Sequence, residues 1–299
     1  MVVLSLFDGI SVGYQSLKHA SLPVKTYYAS EIDEYAMQVA RLNHPDIIHV
    51  GDITELDTSN LPAIDLLIAG FPCQDLSSLG KGAGLQGVRS GLFFQALRVF
   101  NELKPKYWVF ENVASMRDKD KAEISKLLGV EPIMICSSKL SAQTRKRLYW
   151  TNIPGVVQPK DKGIQLQDIL TDGFADRKKA HTVLTNQLPE TEIGLKRYLG
   201  KSTGQLAFRE QYYADLNKET KLLRFGNMQR LSSALNPNPN YRRNAVFRHL
   251  SVNECEALQT LPKDYTAGIS NSQRFKCLGN SFTCEVIAHI LSFIPSVNN

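Results

Sequence analysis

The sequence predicts an α/β fold: a doubly wound, mostly parallel sheet with a smaller, irregular second domain. Three observations predict it. Over the first 153 residues, short apolar runs alternate with segments of helical spacing, and the pattern degrades after Pro154. From about residue 160 to 245 that rhythm lapses into a basic, aromatic-rich stretch closed by the loop Asn236-Pro237-Asn238-Pro239-Asn240. Regular patterning then returns up to the C-terminus.

Each element has a local cause. Val2–Phe7 reads as a buried strand, Val12–His19 as a helix, and Lys25–Ala29 as the second strand. Asp33 is placed to cap a helix over Glu34–Leu42. Ile47–Val50 and Asp65–Ala69 continue the strands, and Ser90 is placed to cap Leu92–Leu103, whose Phe93, Leu97 and Phe100 recur at helical spacing. Tyr107–Phe110, Pro132–Cys136 and Arg147–Trp150 complete seven strands of a Rossmann-like sheet. Beyond the middle segment, Ser251 with Glu254 has capping-box spacing ahead of Cys255, Leu258 and Leu261. Gly279 separates a short helix from an amphipathic one over Phe282–Phe293, whose Val286, Ile287, Ile290 and Leu291 are expected to pack back on the first domain. The domain reading is therefore residues 1–160 with 246–299, and a second domain over 161–245.

Composition narrows the function. The 299 residues are 43% hydrophobic and 21% charged, ordinary for a soluble globular chain. No apolar stretch approaches membrane-spanning length, and the N-terminal run meets Asp8 too early to act as a signal peptide. The expected location is cytoplasmic, or with the nucleoid in a bacterium or phage host. Cys73, Cys136, Cys255, Cys277 and Cys284 contain no C-x-x-C pair, which argues against a disulfide framework and a structural zinc site; no metal is expected. The net charge of +6 is concentrated: between Lys196 and Arg248 lie eleven Lys and Arg against three acids. Tyr198, Phe208, Tyr212, Tyr213, Phe225, Tyr241 and Phe247 are interleaved with them. That mixture suits a nucleic-acid surface, and equally a solvated basic face.

Chemistry-bearing residues fall where strands end, the edge at which open α/β sheets bind ligands. Gly70-Phe71-Pro72-Cys73-Gln74 delivers a thiol on a Pro-fixed turn, a candidate nucleophile or a buried structural cysteine. Phe7-Asp8-Gly9-Ile10-Ser11-Val12-Gly13 follows the first strand, where glycine lets backbone approach a ligand. It is not G-x-G-x-x-G and brings no Walker lysine, so a pyrophosphate is not its natural guest. Glu31 ends the second strand and can bind ribose hydroxyls; Asp52, after the third, can meet adenine or ribose. Adenosine without pyrophosphate points to S-adenosylmethionine. Glu111-Asn112-Val113 offers a carboxylate for acid–base work, and Gln143-Thr144-Arg145-Lys146-Arg147 sets two arginines on one side of an extended segment. Gly80, Gly82, Gly84, Gly87 and Gly91 read as a closing lid rooted at Cys73.

Taken in order, Phe7-Asp8-Gly9, Pro72-Cys73-Gln74, Glu111-Asn112-Val113, Gln143-x-Arg145-x-Arg147 and Gly279-Asn280-Ser281 resemble the motifs of the DNA cytosine-5 methyltransferases. Within that family the chain looks most like the eukaryotic de novo enzymes, through Leu6-Phe7-Asp8-Gly9-Ile10, Phe110-Glu111-Asn112-Val113 and Leu261-Pro262-Lys263-Asp264-Tyr265-Thr266. The usual motif near residue 7 has small residues and a further glycine; here Asp8 and Ser11 intervene, and the de novo-type enzymes share the Asp.

The resemblance implies an S-adenosylmethionine-dependent methyltransferase fold with a target-recognition domain over 161–245, short enough to read a short DNA site. It implies that Cys73 attacks carbon 6 of a flipped cytosine in double-stranded DNA, that Glu111 holds the ring, and that Arg145 and Arg147 steady base and loop. Phe7, Asp8, Gly9, Ile10, Glu31, Ile32, Asp52, Asn280 and Ser281 would line the cofactor site. Gln74, Ser77, Arg89, Gln143, Arg230, Arg242 and Arg243 are the candidates for contact with DNA. A monomer is expected, with a dimer left open. The rivals are the related tRNA methyltransferase, a non-catalytic DNA-binding relative and, more distantly, a nicotinamide-dependent dehydrogenase.

Overall fold

In a computed structural model of the chain, residues 1–72, 91–185, 205–212, 214–215 and 247–295 are described. In chain order the strands and helices are β1 (Val2–Leu6), α1 (Val12–His19), β2 (Thr26–Ser30), α2 (Glu34–Asn43), β3 (Ile48–His49) and β4 (Leu66–Gly70). Then come α3 (Gly91–Leu103), β5 (Tyr107–Val113), α4 (Asp118–Leu128), β6 (Ile133–Cys136), β7 (Lys146–Thr151) and α5 (Leu166–Ile169). The last are β8 (Leu206–Phe208), β9 (Phe247–His249), α6 (Val252–Leu258), α7 (Asn271–Asn280) and α8 (Cys284–Leu291).

The described residues form two compact units. The first holds residues 1–136, 146–160 and 281–299; the second holds 137–145 and 161–280. In the first, seven strands run in the order β3-β2-β1-β4-β5-β7-β6. All are parallel except β7, antiparallel to both β5 and β6. The reversal has a simple cause. Only residues 137–145 separate β6 from β7, too few for the crossover that a parallel partner requires. The sheet is thus the doubly wound, mostly parallel one that the strand–helix rhythm predicts.

Strand order reverses beside β1. The chain winds outward through β2 and β3, then returns to lay β4 on the other flank of β1. Beyond the carboxyl ends of β1 and β4 opens the crevice where such sheets take ligands. Leu6 leads there into Phe7-Asp8-Gly9, and Gly70 into Phe71 and Pro72.

Both sheet faces are buried, which is why the strands read as continuous apolar runs. Leu4, Leu6, Leu67, Ala69, Trp108 and Phe110 pack with Phe93, Ala96 and Val99 of α3 and Ile124 and Leu128 of α4. Aromatic rings mesh edge to face: Phe100 lies 5.2 Å from Trp108 and 5.8 Å from Phe110, centroid to centroid. On α1, the Ser16 hydroxyl donates to the Cys284 carbonyl at 3.0 Å, so the terminal helix α8 packs within the first unit.

In the second unit α6 opens with the expected capping box: Ser251 Oγ accepts from Glu254 N, and Glu254 accepts from Ser251 N. Glu254 also takes both terminal nitrogens of Arg248 and the amide of Thr171. Ser141 and Gln143 donate to the carbonyl of Leu258 at 2.6 and 3.1 Å. These ties knit 247–280 to 137–145 and 161–185. The grouping therefore differs from the sequence reading, which joined 246–280 to the first 160 residues.

Candidate active site

The exit from β1 is backbone of unusual shape. Phe7, Gly9 and Ser11 alternate in the left-handed region, at φ of 56°, 59° and 58°. Gly9 meets that demand without strain, and a Cβ there would have nothing within 4 Å. Asp8 N donates to Ser30 O at 3.1 Å and Gly9 N to Glu31 Oε2 at 2.8 Å, which pins the loop to the end of β2. The Asp8 carboxylate points inward. It is 4% exposed and accepts from the hydroxyls of Tyr27 (2.7 Å) and Ser11. Burial pushes its pKa up to about 6, against the pull of those hydrogen bonds.

Glu31 is held by three backbone amides. Besides Gly9 on Oε2, Ile32 N and Asp33 N donate to Oε1 at 2.7 and 2.8 Å. Its carboxylate is thereby oriented at the sheet's carboxyl edge. Next to it Ile32 is 67% exposed, an apolar surface on an otherwise polar rim. Asp33 caps α2 as expected, accepting from Tyr35 N and Ala36 N. Asp52 Oδ1 accepts from Thr54 N at 2.8 Å and so opens a turn. Arg98 of α3 closes that turn through hydrogen bonds to the carbonyls of Ile53 (2.9 Å) and Leu56 (3.3 Å).

Across the reversal point, Gly70 of β4 registers with Glu111 of β5, and Glu111 with Tyr149 of β7. Arg147 enters the same ladder opposite Val113, and its Nε reaches Glu111 Oε1 at 2.8 Å. Both side chains are largely buried, so the ion pair is shielded from water. Asn112 sends its side-chain amide to the carbonyl of Phe71 at 3.0 Å, fixing the backbone that leads into Pro72 and Cys73. Phe282 closes over Gly70: a Cβ on Gly70 would stand 2.6 Å from two ring carbons and 3.7 Å from Glu111 Oε2. A carboxylate locked by a guanidinium can thus orient and polarise a ring bound at this edge, beside the strand that leads to the thiol.

A family model described as C-5 cytosine-specific DNA methylase matches residues 1–129 and 137–296. The chain belongs to this family. It is therefore a DNA cytosine-5 methyltransferase by descent. Type II methyltransferase M1.ScrFI of Lactococcus lactis subsp. cremoris is 27% identical over 95% of this chain and 75% of its own length. Type II methyltransferase M.NgoBV of Neisseria gonorrhoeae is 35% identical over 68% of this chain, which spans 53% of that protein. Among solved structures, the S. pombe Dnmt2 methyltransferase superposes with a TM-score of 0.70 at 18% identity, over 98% of this chain and 97% of that one. At that identity the likeness is one of fold.

The remaining site candidates of this methylase fall in several places. Cys73, Gln74, Ser77, Arg89, Arg230, Arg242 and Arg243 lie outside the described residues, as do the glycines from 80 to 87 and most of the basic segment. Arg145 belongs to the second unit, where it is buried and donates to Gly279 O at 3.2 Å. The two-residue spacing of Arg145 and Arg147 therefore does not place both in one strand, since β7 begins at Lys146. Gln143 is fully buried, its amide spent on Leu258, Gln259 and Val183. It is an internal brace of the second unit, not a surface side chain. Asn280 is exposed at the end of α7, whereas Ser281 is buried in the first unit. Ile10 is buried beneath the β1 loop. Of the basic segment, Arg248 is committed to Glu254 at 2.7 Å.

Among the described residues no group of three His, Cys, Asp or Glu is arranged to hold a metal ion, and no helix is long and apolar enough to cross a membrane. Asn112, Tyr27, Arg98 and Phe282 join the site without having been assigned a role from sequence. Asn112 lies inside the Glu111-Asn112-Val113 run. Phe282 gave no signal, because its partner Gly70 is remote in the chain.

Proposed function

We propose that this chain transfers a methyl group from S-adenosylmethionine to carbon 5 of cytosine in double-stranded DNA, with the base turned out of the stack and joined covalently to Cys73. The observation that carries the reading is the Glu111–Arg147 ion pair, at 2.8 Å, one strand away from the β4 exit that leads to Cys73.

The β1 loop suits an adenosine-bearing cofactor. Gly9 leaves open space beside a left-handed backbone, Glu31 is preset by three amides for a ribose diol, and exposed Ile32 offers an apolar face to a purine. Asp52 supplies a second acceptor. When bound, S-adenosylmethionine supplies an electrophilic sulfonium methyl group.

The chain's own residues do the rest. Carbon 5 of cytosine is a poor nucleophile. The Cys73 thiolate adds at carbon 6, and the electron pair of the 5,6 double bond moves to carbon 5, which takes the methyl. A water molecule then takes the carbon 5 proton, and the electron pair left behind re-forms the 5,6 double bond and expels the Cys73 thiolate. Glu111 holds ring nitrogen 3 and the exocyclic amino group, offsetting charge that develops on the ring. Arg147 fixes Glu111 in place, and Arg145 supports the Gly279 backbone in its own unit. The target atom is out of reach inside a duplex, so the base must leave the stack. Residues 161–245 are assigned the reading of DNA, with Arg230, Arg242 and Arg243 as contacts and restriction–modification as the setting.

Transfer of labelled methyl groups to duplex DNA, read by bisulfite sequencing, tests this. Incorporation into 5-methylcytosine is expected, with little into tRNA. Cys73→Ala should lose transfer and covalent trapping on 5-fluorocytosine DNA while still binding cofactor. Trapping that survives the substitution would overturn the nucleophile assignment.

A further inference from the structure

We infer that Asp8 is a positioning residue: its inward carboxylate holds Ser11 in a left-handed conformation and, through it, shapes the loop that receives the cofactor. The identity of the ligand rests on the function proposed above; the geometry does not.

Ser11 stands at the N-cap of α1, where a serine normally adopts an extended backbone and accepts a hydrogen bond from the first turn. Here it does neither. Its φ and ψ are 58° and 38°, and its side chain makes no cap hydrogen bond. Its hydroxyl goes to Asp8 Oδ2 instead, and its amide to Asp8 O. A residue with a Cβ is disfavoured in this region, and only glycine enters it freely. The Asp8 contact supplies what glycine would otherwise give. Tyr27 fixes the second carboxylate oxygen from β2, and Gly13 is kept bare beneath it, since a Cβ there would stand 2.6 Å from the Tyr27 hydroxyl.

The arrangement is strongest with an ionised Asp8. A carboxylate accepts from both hydroxyls at once, whereas the neutral acid donates from one oxygen, so that Ser11 or Tyr27 must accept that proton and re-aim its own hydroxyl hydrogen. Burial opposes the anion most, hydrogen bonding from Ser11, Ser5 and Tyr27 favours it, and the charge of Glu31 after β2 opposes it. The midpoint near 6 brings this change into an accessible range. Cofactor affinity therefore declines as pH falls from about 7 to about 5, by about tenfold.

Calorimetric titration of the full chain with S-adenosylhomocysteine between pH 5 and 8 tests this. Wild type should weaken on acidification, and Asp8→Asn should be weak and flat across the range. Ser11→Gly needs no help to stay left-handed, so it should keep its affinity with a flattened profile. Asp8→Ala with Ser11→Gly should recover most of what Asp8→Ala alone loses. Shared profiles for wild type and Asp8→Asn, or no recovery in the double variant, would overturn the inference. If no form binds the probe, the cofactor reading fails. Amide exchange at Gly9 and Ser11 in the free protein then decides on Asp8, with protection that falls with pH in wild type and not in Asp8→Asn expected, and identical protection overturning it.

Discussion

Phe282 and Gly70 are in such close contact that any side chain at position 70 would collide with the ring. The contact joins the strand end leading to Cys73 to the segment that enters α8, two residues before its start, with Glu111 alongside. Gly70→Ala must push the ring away, and overpacking of this kind costs about 1–3 kcal/mol. Thermal melting should register that loss, and methyl transfer should fall by about 100-fold as the neighbouring groups shift. Adding Phe282→Leu should restore melting. Unchanged melting and turnover in Gly70→Ala would refute the contact.

Glu111 and Arg147 act as one unit. Removing one partner of a buried pair leaves an uncompensated charge, worth about 3–5 kcal/mol where burial is complete and less at the partial exposure found here. Arg147→Ala should therefore destabilise the first unit and lower kcat. Glu111→Gln keeps the shape of the side chain and removes its charge, so turnover should drop by about 10²–10⁴-fold while cofactor affinity holds. Single-turnover rates alongside calorimetry separate the two effects.

Asn112 predicts a different pattern. Its amide holds the Phe71 carbonyl, and a neutral hydrogen bond of this kind contributes about 1 kcal/mol. Asn112→Ala should barely change melting, yet misplace the turn into Cys73 and slow trapping on 5-fluorocytosine DNA. Asn112→Asp places a buried carboxylate against the Phe71 carbonyl, so it should slow trapping as well and also lower melting. Trapping at the wild-type rate in both would show that the Phe71 contact is dispensable.

What could be read from sequence follows a physical line. Strands β1, β4 and β5 are apolar because both sheet faces are covered, so their positions, and the polar residues at their ends, stand out. Helix α4 does not: Asp118-Lys119-Asp120-Lys121 hides its start, although Ile124 and Leu128 bury one face and left-handed Gly129 closes it. Motif membership also carries no direction. Gln143 and Arg147 look equivalent in the sequence, yet one is sealed inside the second unit and the other reaches Glu111. Charge counting overstates the basic surface for a similar reason, since Arg248 is bound to Glu254. Contacts such as Gly70–Phe282 join residues remote in the chain, and no local pattern announces them.

Glu254 and Asp8 should give opposite pH dependences of folding. Burial alone would raise the Glu254 pKa, but Arg248 and the amides of Thr171 and Ser251 outweigh it and hold the carboxyl below its ordinary value of 4.5. The unfolded chain then binds the proton first, so the stabilisation is complete above the ordinary carboxylate range and is lost as pH falls through the lowered folded value. For Asp8 the folded value is about 6 against 3.8, so the folded state binds the proton first. Its ionisation penalty is full above about 6 and is relieved as pH falls towards 3.8. Urea unfolding from pH 3 to 8 should show Glu254→Gln losing stability at neutral pH and converging on wild type in acid. Asp8→Asn should lose the rise in stability that wild type gains below about 6. Parallel curves for Glu254→Gln and wild type would mean that the Arg248 ion pair does not stabilise the second unit.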